Sequence, residues 1–195
     1  SAALVEPLAV GIHAVRIADV KAGSRVMVIG AGPIGLTVAL WCRFFGAREV
    51  VVSEVTKTRA DLAKKMGATA VIHPELDKGA AGLLQQFAAV AGGPPDVIFE
   101  CVGAPGLLQQ CIEMAPHRGK IIPVGVCEKP DAIMPFFGLV KELQIQFAIA
   151  YNRDDFDTCV AMLGERRIDI SPMVTDIVTL DELPAAFEAL RTPSH

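Results

Sequence analysis

The stretch that most limits how this chain can fold is residues 26–54, VMVIGAGPIGLTVALWCRFFGAREVVVSE. It holds, in order, an apolar run of β type, the spacing Gly30-x-Gly32-x-x-Gly35, an apolar segment of helical character, a second β run and a closing acid, Glu54. Strand, glycine turn, helix, strand and acid in this order make the first half of a dinucleotide-binding βαβ unit. Gly30 permits a tight turn, Gly32 lets the backbone approach a pyrophosphate where a Cβ would collide, and Gly35 lets the helix pack closely on the strand. The helix start, where Pro33 costs no hydrogen bond, offers N–H groups and a partial positive charge to phosphate. Glu54 is placed to accept from the hydroxyls of an adenosine ribose, and its charge opposes a 2′-phosphate, so the expected cofactor is NAD in preference to NADP. Arg59, one turn into the next helix, is a candidate to flank the adenine; an ordinary surface arginine is the alternative.

The remainder continues the alternation of β runs and helices. Strands are expected at 25–29, 50–53, 70–73, 96–100, 120–124 and 144–149, with a further short β run at 174–178. Helices are expected at 4–20 as a lead-in, then at 33–46, 56–66, 83–90 and 106–114, near Leu139, and at 155–163 and 184–190. Six strands with intervening helices predict a three-layer Rossmann fold, a doubly wound parallel sheet in the order 3-2-1-4-5-6. No repeat, low-complexity tract or linker interrupts it, so residues 1–195 are expected to form one domain.

Bulk properties exclude several functions. With 52% hydrophobic residues in 195, the chain can bury a sizeable core. A formal charge of −4 and the absence of basic runs argue against nucleic acid or an anionic membrane as partners. The segment from Val26 to Cys42 carries no charge, but its glycines and Pro33 fit strand, turn and helix better than a membrane span. Five scattered cysteines without C-x-x-C spacing, and no signal-peptide pattern at the amino end, predict a reduced, cytoplasmic protein.

With these motifs in view, the chain resembles the nucleotide-binding domain of the medium-chain, zinc-dependent alcohol dehydrogenases. The resemblance runs almost end to end: ALVEPLAVGIHAV, GAGPIGL, VVSE with TRADLAKKMGA, FECVG, GKIIPVGV, YNRDDFDTCVAML and TLDELPAAFEAL. ALVEPLAVGIHAV and VVSE look most like the branch of polyol and vicinal-diol enzymes. The resemblance implies an oxidoreductase moving hydride between an alcohol or polyol and NAD, with zinc polarising the alcohol oxygen in the whole enzyme. It also implies a GroES-like domain ahead of Ser1 that carries the zinc ligands. The chain is thus expected to be a cofactor-binding part, without zinc or turnover by itself.

Site residues follow from the same resemblance. Ile34 should approach the pyrophosphate. Cys101, Val102 and Gly103 after the fourth strand, and Val124, Gly125 and Val126 after the fifth, should line the nicotinamide half. Ala148, Ile149 and Ala150 should lie near the carboxamide, and Tyr151 near substrate. Glu6 of the EPL motif is the one residue expected in the zinc shell, and only with the missing domain. Sorbitol dehydrogenases have an arginine where this chain has Ala150, which favours a small diol or secondary alcohol. The family's enzymes are commonly dimers or tetramers sharing the sixth strand's edge, so a homo-oligomer is expected. His13, His73, His117 and His195 show no metal spacing or partnered base.

Two competitors stand beside this reading. One is a non-catalytic NAD(H) sensor, in which a helical DNA-binding motif would precede Ser1. The other is a zinc-free quinone reductase using NADPH, which Glu54 argues against.

Overall fold

Each apolar β run becomes a strand of one parallel sheet, and each intervening segment a helix laid on one of its faces. The computed structural model describes residues 2–190 apart from residue 76. Helix α1 (Val5–Ala18) leads into β1 (Arg25–Ile29), followed by α2 (Pro33–Phe44), β2 (Glu49–Ser53), α3 (Lys57–Lys65) and β3 (Ala70–Ile72). Then come α4 (Gly79–Ala91), β4 (Val97–Glu100), α5 (Leu107–Met114), β5 (Lys120–Pro123), α6 (Pro135–Val140), β6 (Gln144–Ile145), α7 (Arg153–Gly164) and α8 (Leu183–Ala189). The six strands stand in the order β3-β2-β1-β4-β5-β6, every pair parallel. This is the doubly wound arrangement that the alternation predicts.

Strand alternation divides the core in two. Val26 and Val28 of β1, Val50 and Val52 of β2, and Val97 and Phe99 of β4 face the layer holding α1, α2 and α7. Met27, Ile29, Val51 and Ile98 face the opposite layer, built by α4 and α5. Both faces of a parallel sheet are covered, which is why its central strands are apolar at nearly every position. On the first face Trp41 is fully buried, and its indole N–H donates to the Leu8 carbonyl at 3.0 Å. That bond ties α1 to α2. The two helices also cross at Gly11, where a Cβ would lie 2.7 Å from Thr37 Cβ.

Three expectations need correction. The run at 174–178 is not a strand: it pairs with none of the six strands, and β propensity without a hydrogen-bonding partner makes no ladder. Strand β6 spans only Gln144–Ile145 rather than 144–149. Beyond Ile145 the backbone still donates on one side, from Gln146 to Ile121 and from Ala148 to Pro123, each at 3.0 Å. Helix α4 starts at Gly79, four residues before the expected start. His195 lies outside the described residues.

Candidate functional site

The site is built where β1, β2 and β4 end. After Ile29 the chain turns through Gly30 at φ +94° and enters α2 with Pro33 in its first turn. A Cβ on Gly30 would meet Val102 Cγ2 at 2.6 Å, and one on Gly35 would collide with the Gly30 carbonyl oxygen. Both glycines are thus demanded by the protein itself. Gly32 differs: its φ is −69° and a Cβ there would meet no protein atom within 4 Å. The first helical bond runs from Leu36 N–H to Gly32 O at 3.0 Å, so the N–H groups of Ile34 and Gly35 lie ahead of the ladder, at the positive end of the helix.

A cavity of about 380 Å³ opens on this turn. Gly30, Gly32, Glu54, Arg59, Cys101 and Val102 line it, so the structure gathers residues from three separate segments. Glu54 is 5% exposed; one carboxylate oxygen accepts from Ala31 N–H and the other from Thr56 N–H, both at 2.8 Å. The acid therefore braces the glycine turn as well as bordering the cavity. His73 Nδ1 lies 2.7 Å from the Glu54 carbonyl, which requires an Nδ1–H donor. The far wall is Val55, Pro74, Leu83, Leu107 and Gln110, which the sequence did not single out. Val55 and Pro74 lie just beyond strands β2 and β3, Leu83 is on α4, and Leu107 and Gln110 are on α5.

The remaining candidates fall elsewhere on the same edge. Gly103 and Val126 line a second cavity of about 320 Å³ with Ala104, Pro105 and Cys127, and Val124 and Gly125 are half-buried beside it. Ala148 is buried, Ile149 is 83% exposed, and Ala150 is exposed in the left-handed region at φ +54°. Tyr151 stacks on Phe156 with centroids 5.8 Å apart. Burial, reinforced by the Glu100 charge, pushes the Cys101 thiol well above its ordinary value, which removes it as a nucleophile. Glu6 is an exposed acid in the first turn of α1. Zinc takes four ligands, and among the described residues no group of three or more His, Cys, Asp or Glu is placed to hold an ion. The donor set does not fit zinc.

His13 has a partner that spacing could not reveal. Its Nδ1 lies 2.7 Å from Asp155, which also receives Arg16 at 2.6 Å and Asn152 N–H at 3.1 Å. Burial pushes the Asp155 carboxyl up, but the Asn152 N–H, Arg16 and His13 outweigh it and hold the group below its usual value. This cluster joins α1 to the amino end of α7. The sequence reading gave His13 no partnered base; the fold supplies Asp155.

The fold and the glycine turn define a Rossmann-type α/β protein, and comparison with known proteins narrows the class. The zinc-binding dehydrogenase family model matches residues 33–165, and the chain belongs to that family. It is 34% identical to sorbitol dehydrogenase of Macaca fascicularis over 191 residues, covering 97% of this chain and 52% of that protein. The crystal structure of 2R,3R-butanediol dehydrogenase from Bacillus subtilis superposes with a TM-score of 0.86 at 33% identity, covering 98% of this chain and 54% of that one. A Sinorhizobium meliloti 1021 structure described as a zinc-binding dehydrogenase bound to NADP has a TM-score of 0.86 at 29% identity, covering 99% and 56%. The chain thus spans about half the length of the relatives it matches. Among the described residues no helix is long and apolar enough to cross a membrane.

Proposed function

We propose that this chain is the NAD-binding part of an alcohol or polyol dehydrogenase, laying the dinucleotide across the carboxyl edge of its sheet. Gly32 carries the reading. Neither its backbone conformation nor its packing asks for glycine, whereas a pyrophosphate seated against the start of α2 does. In this assignment the phosphates take the N–H groups of Ile34 and Gly35. The adenosine occupies the 380 Å³ cavity with Arg59 at its flank. Glu54 spends one lone pair of each oxygen on a backbone N–H and keeps capacity for the ribose hydroxyls. The nicotinamide half extends over Cys101, Val102, Gly103, Val124, Gly125 and Val126, with Ala148 to Ala150 by the carboxamide and Tyr151 toward substrate. When bound, the cofactor supplies a hydride acceptor, and the chain's own part is to place it and to select it. The substrate class we assign is a small diol or secondary alcohol, on the strength of Ala150.

The assembled protein is proposed to be a homo-oligomer joined at the β6 edge, where Phe147 and Ile149 are 71% and 83% exposed. The 195-residue chain itself is expected to bind dinucleotide without turning over alcohol.

A second reading, NADP as the cofactor, is favoured by the NADP-bound neighbour. Calorimetric titration of the chain and of Glu54→Ala with NAD and NADP decides. The expected result is a preference for NAD of about tenfold or more, matching one charged hydrogen bond, that disappears in the variant. A preference unchanged in Glu54→Ala removes Glu54 from its role, and tighter binding of NADP by the unaltered chain reverses the cofactor assignment.

A further inference from the structure

Glu100 closes β4 as Glu54 closes β2, on the two strands that flank β1, and both acids are buried, at 4% and 5% exposure. We propose that Glu100 is a positioning residue for the nicotinamide half of the cofactor, acting through the loops after β4 and β5; the inference rests on the cofactor reading above. Its Oε1 accepts from Val102 N–H at 2.7 Å and from Gly103 N–H at 2.9 Å. Its backbone carbonyl accepts from Val124 N–H at 2.8 Å and Gly125 N–H at 2.9 Å. One residue therefore holds four N–H groups on two loops.

Those loops have no slack between them. Gly103 is at φ +76°, and a Cβ there would lie 2.6 Å from the Val126 carbonyl carbon. A Cβ on Gly125 would lie 2.8 Å from Gly103 Cα. Backbone packed this closely moves as a unit, so the carboxylate that sets Val102 and Gly103 also sets Gly125 and Val126. The contact continues to the glycine turn, because Val102 Cγ2 fills the space where a Gly30 Cβ would stand. The backbone bonds to Val124 and Gly125 extend the sheet ladder and need no particular side chain. The side-chain bonds need an acceptor of this length at this position. Without it two N–H groups lose their partner, the Val102 turn relaxes, and the surface under the nicotinamide loses its shape while the adenosine cavity keeps Glu54.

The test compares two ligands on the same 195-residue chain: NADH, followed by its fluorescence, and ADP-ribose, which lacks the nicotinamide, followed by calorimetry. In Glu100→Ala, NADH binding should weaken about tenfold, the worth of one hydrogen bond to a charged group, and ADP-ribose binding, which meets Val102 in the adenosine cavity but not Gly103, Gly125 or Val126, should weaken by no more than about threefold. Glu100→Gln, which keeps an Oε1 acceptor, should recover most of the NADH affinity. If Glu100→Ala fails to fold, Glu100→Asp replaces it, its shorter carboxylate being unable to reach both N–H groups. A role confined to stability would weaken both ligands alike, and that result, or unaltered NADH affinity, overturns the inference alone. Failure of the unaltered chain to bind either ligand overturns the dinucleotide reading and this inference with it.

Discussion

Gly32→Ala separates what the glycine turn does for the fold from what it does for a ligand. Alanine adopts φ −69° and ψ 177° without strain, and its methyl would meet no protein atom within 4 Å. As a cap for α2 it is poorer than glycine by at most about 1 kcal/mol. Its restriction of the unfolded chain offsets about 0.4–1 kcal/mol of that. The net is close to zero, and at about 2–4 °C per kcal/mol for a chain of this size the melting temperature should move by no more than about 3 °C. The methyl does occupy the space assigned to the pyrophosphate. Pushing a phosphate off one of the N–H groups of Ile34 and Gly35 loses a charge-assisted bond of about 1.5–3 kcal/mol, a roughly 10- to 150-fold weaker Kd. Gly35→Ala is the contrast, since its Cβ runs into the Gly30 backbone and must cost stability first. Thermal melts of both variants, paired with NADH titration, read the two effects apart. NADH binding by Gly32→Ala at full strength would show that nothing seats against that carbon, and the argument from Gly32 would fail.

The thiols should rank by environment. At pH 7.5 a small alkylating reagent should label exposed Cys127 quickly and leave Cys101 unmodified, although Cys101 lines the cavity, and Cys159, which burial pushes up to about 11, should stay unlabelled too; peptide mass mapping reads the order. For Asp155 the folded carboxyl titrates below the unfolded value near 3.9, so its stabilisation is complete above about pH 4 and is lost as pH falls through the depressed folded value. Asp155→Asn should melt earlier at pH 7 by the equivalent of about 1–2 kcal/mol, modest because Arg16 is 39% exposed, and the gap to the unaltered chain should close between pH 4 and pH 2. Trp41→Phe removes the bond to the Leu8 carbonyl and leaves a void between α1 and α2; urea unfolding should show a loss of about 2–4 kcal/mol.

What could be read from residues alone follows from where the physical signal is local. β1 begins at Arg25 and stops at Ile29 as expected, because an apolar run ending in glycine carries both its burial and its stop signal within a few residues. The order of the strands followed from alternation alone. The failures are at positions whose fate depends on distant chain. The apolar residues of 174–178 look like a strand, but a ladder needs a partner strand that local sequence does not specify, and they pair with none. The Gly79 start of α4 sits among glycine and alanine, which carry little periodic signal. In the site, Gly30, Gly32 and Glu54 were legible because one motif holds them, and Arg59 was a candidate only by its place one turn into the next helix. Glu100 was not, although a charged residue ending a buried strand is the signal that singled out Glu54, and its two side-chain partners follow within three residues. Asp155 as the partner of His13, 142 residues away, left no trace in spacing.

The junction of α1 and α2 bears on how this unit could be recombined with others. An engineer cutting by motif would begin a transplant at β1, where the dinucleotide signature starts. That cut would strip Leu8, Ile12 and Val15, all essentially inaccessible to solvent, from the face they share with Val26 and Val28, and would leave Trp41 exposed with its indole unbonded. The smallest transplantable cassette therefore starts before Val5. A chimera keeping α1 should inherit a finished layer, whereas one that omits it must bring a helix of its own with a small residue where Gly11 passes Thr37.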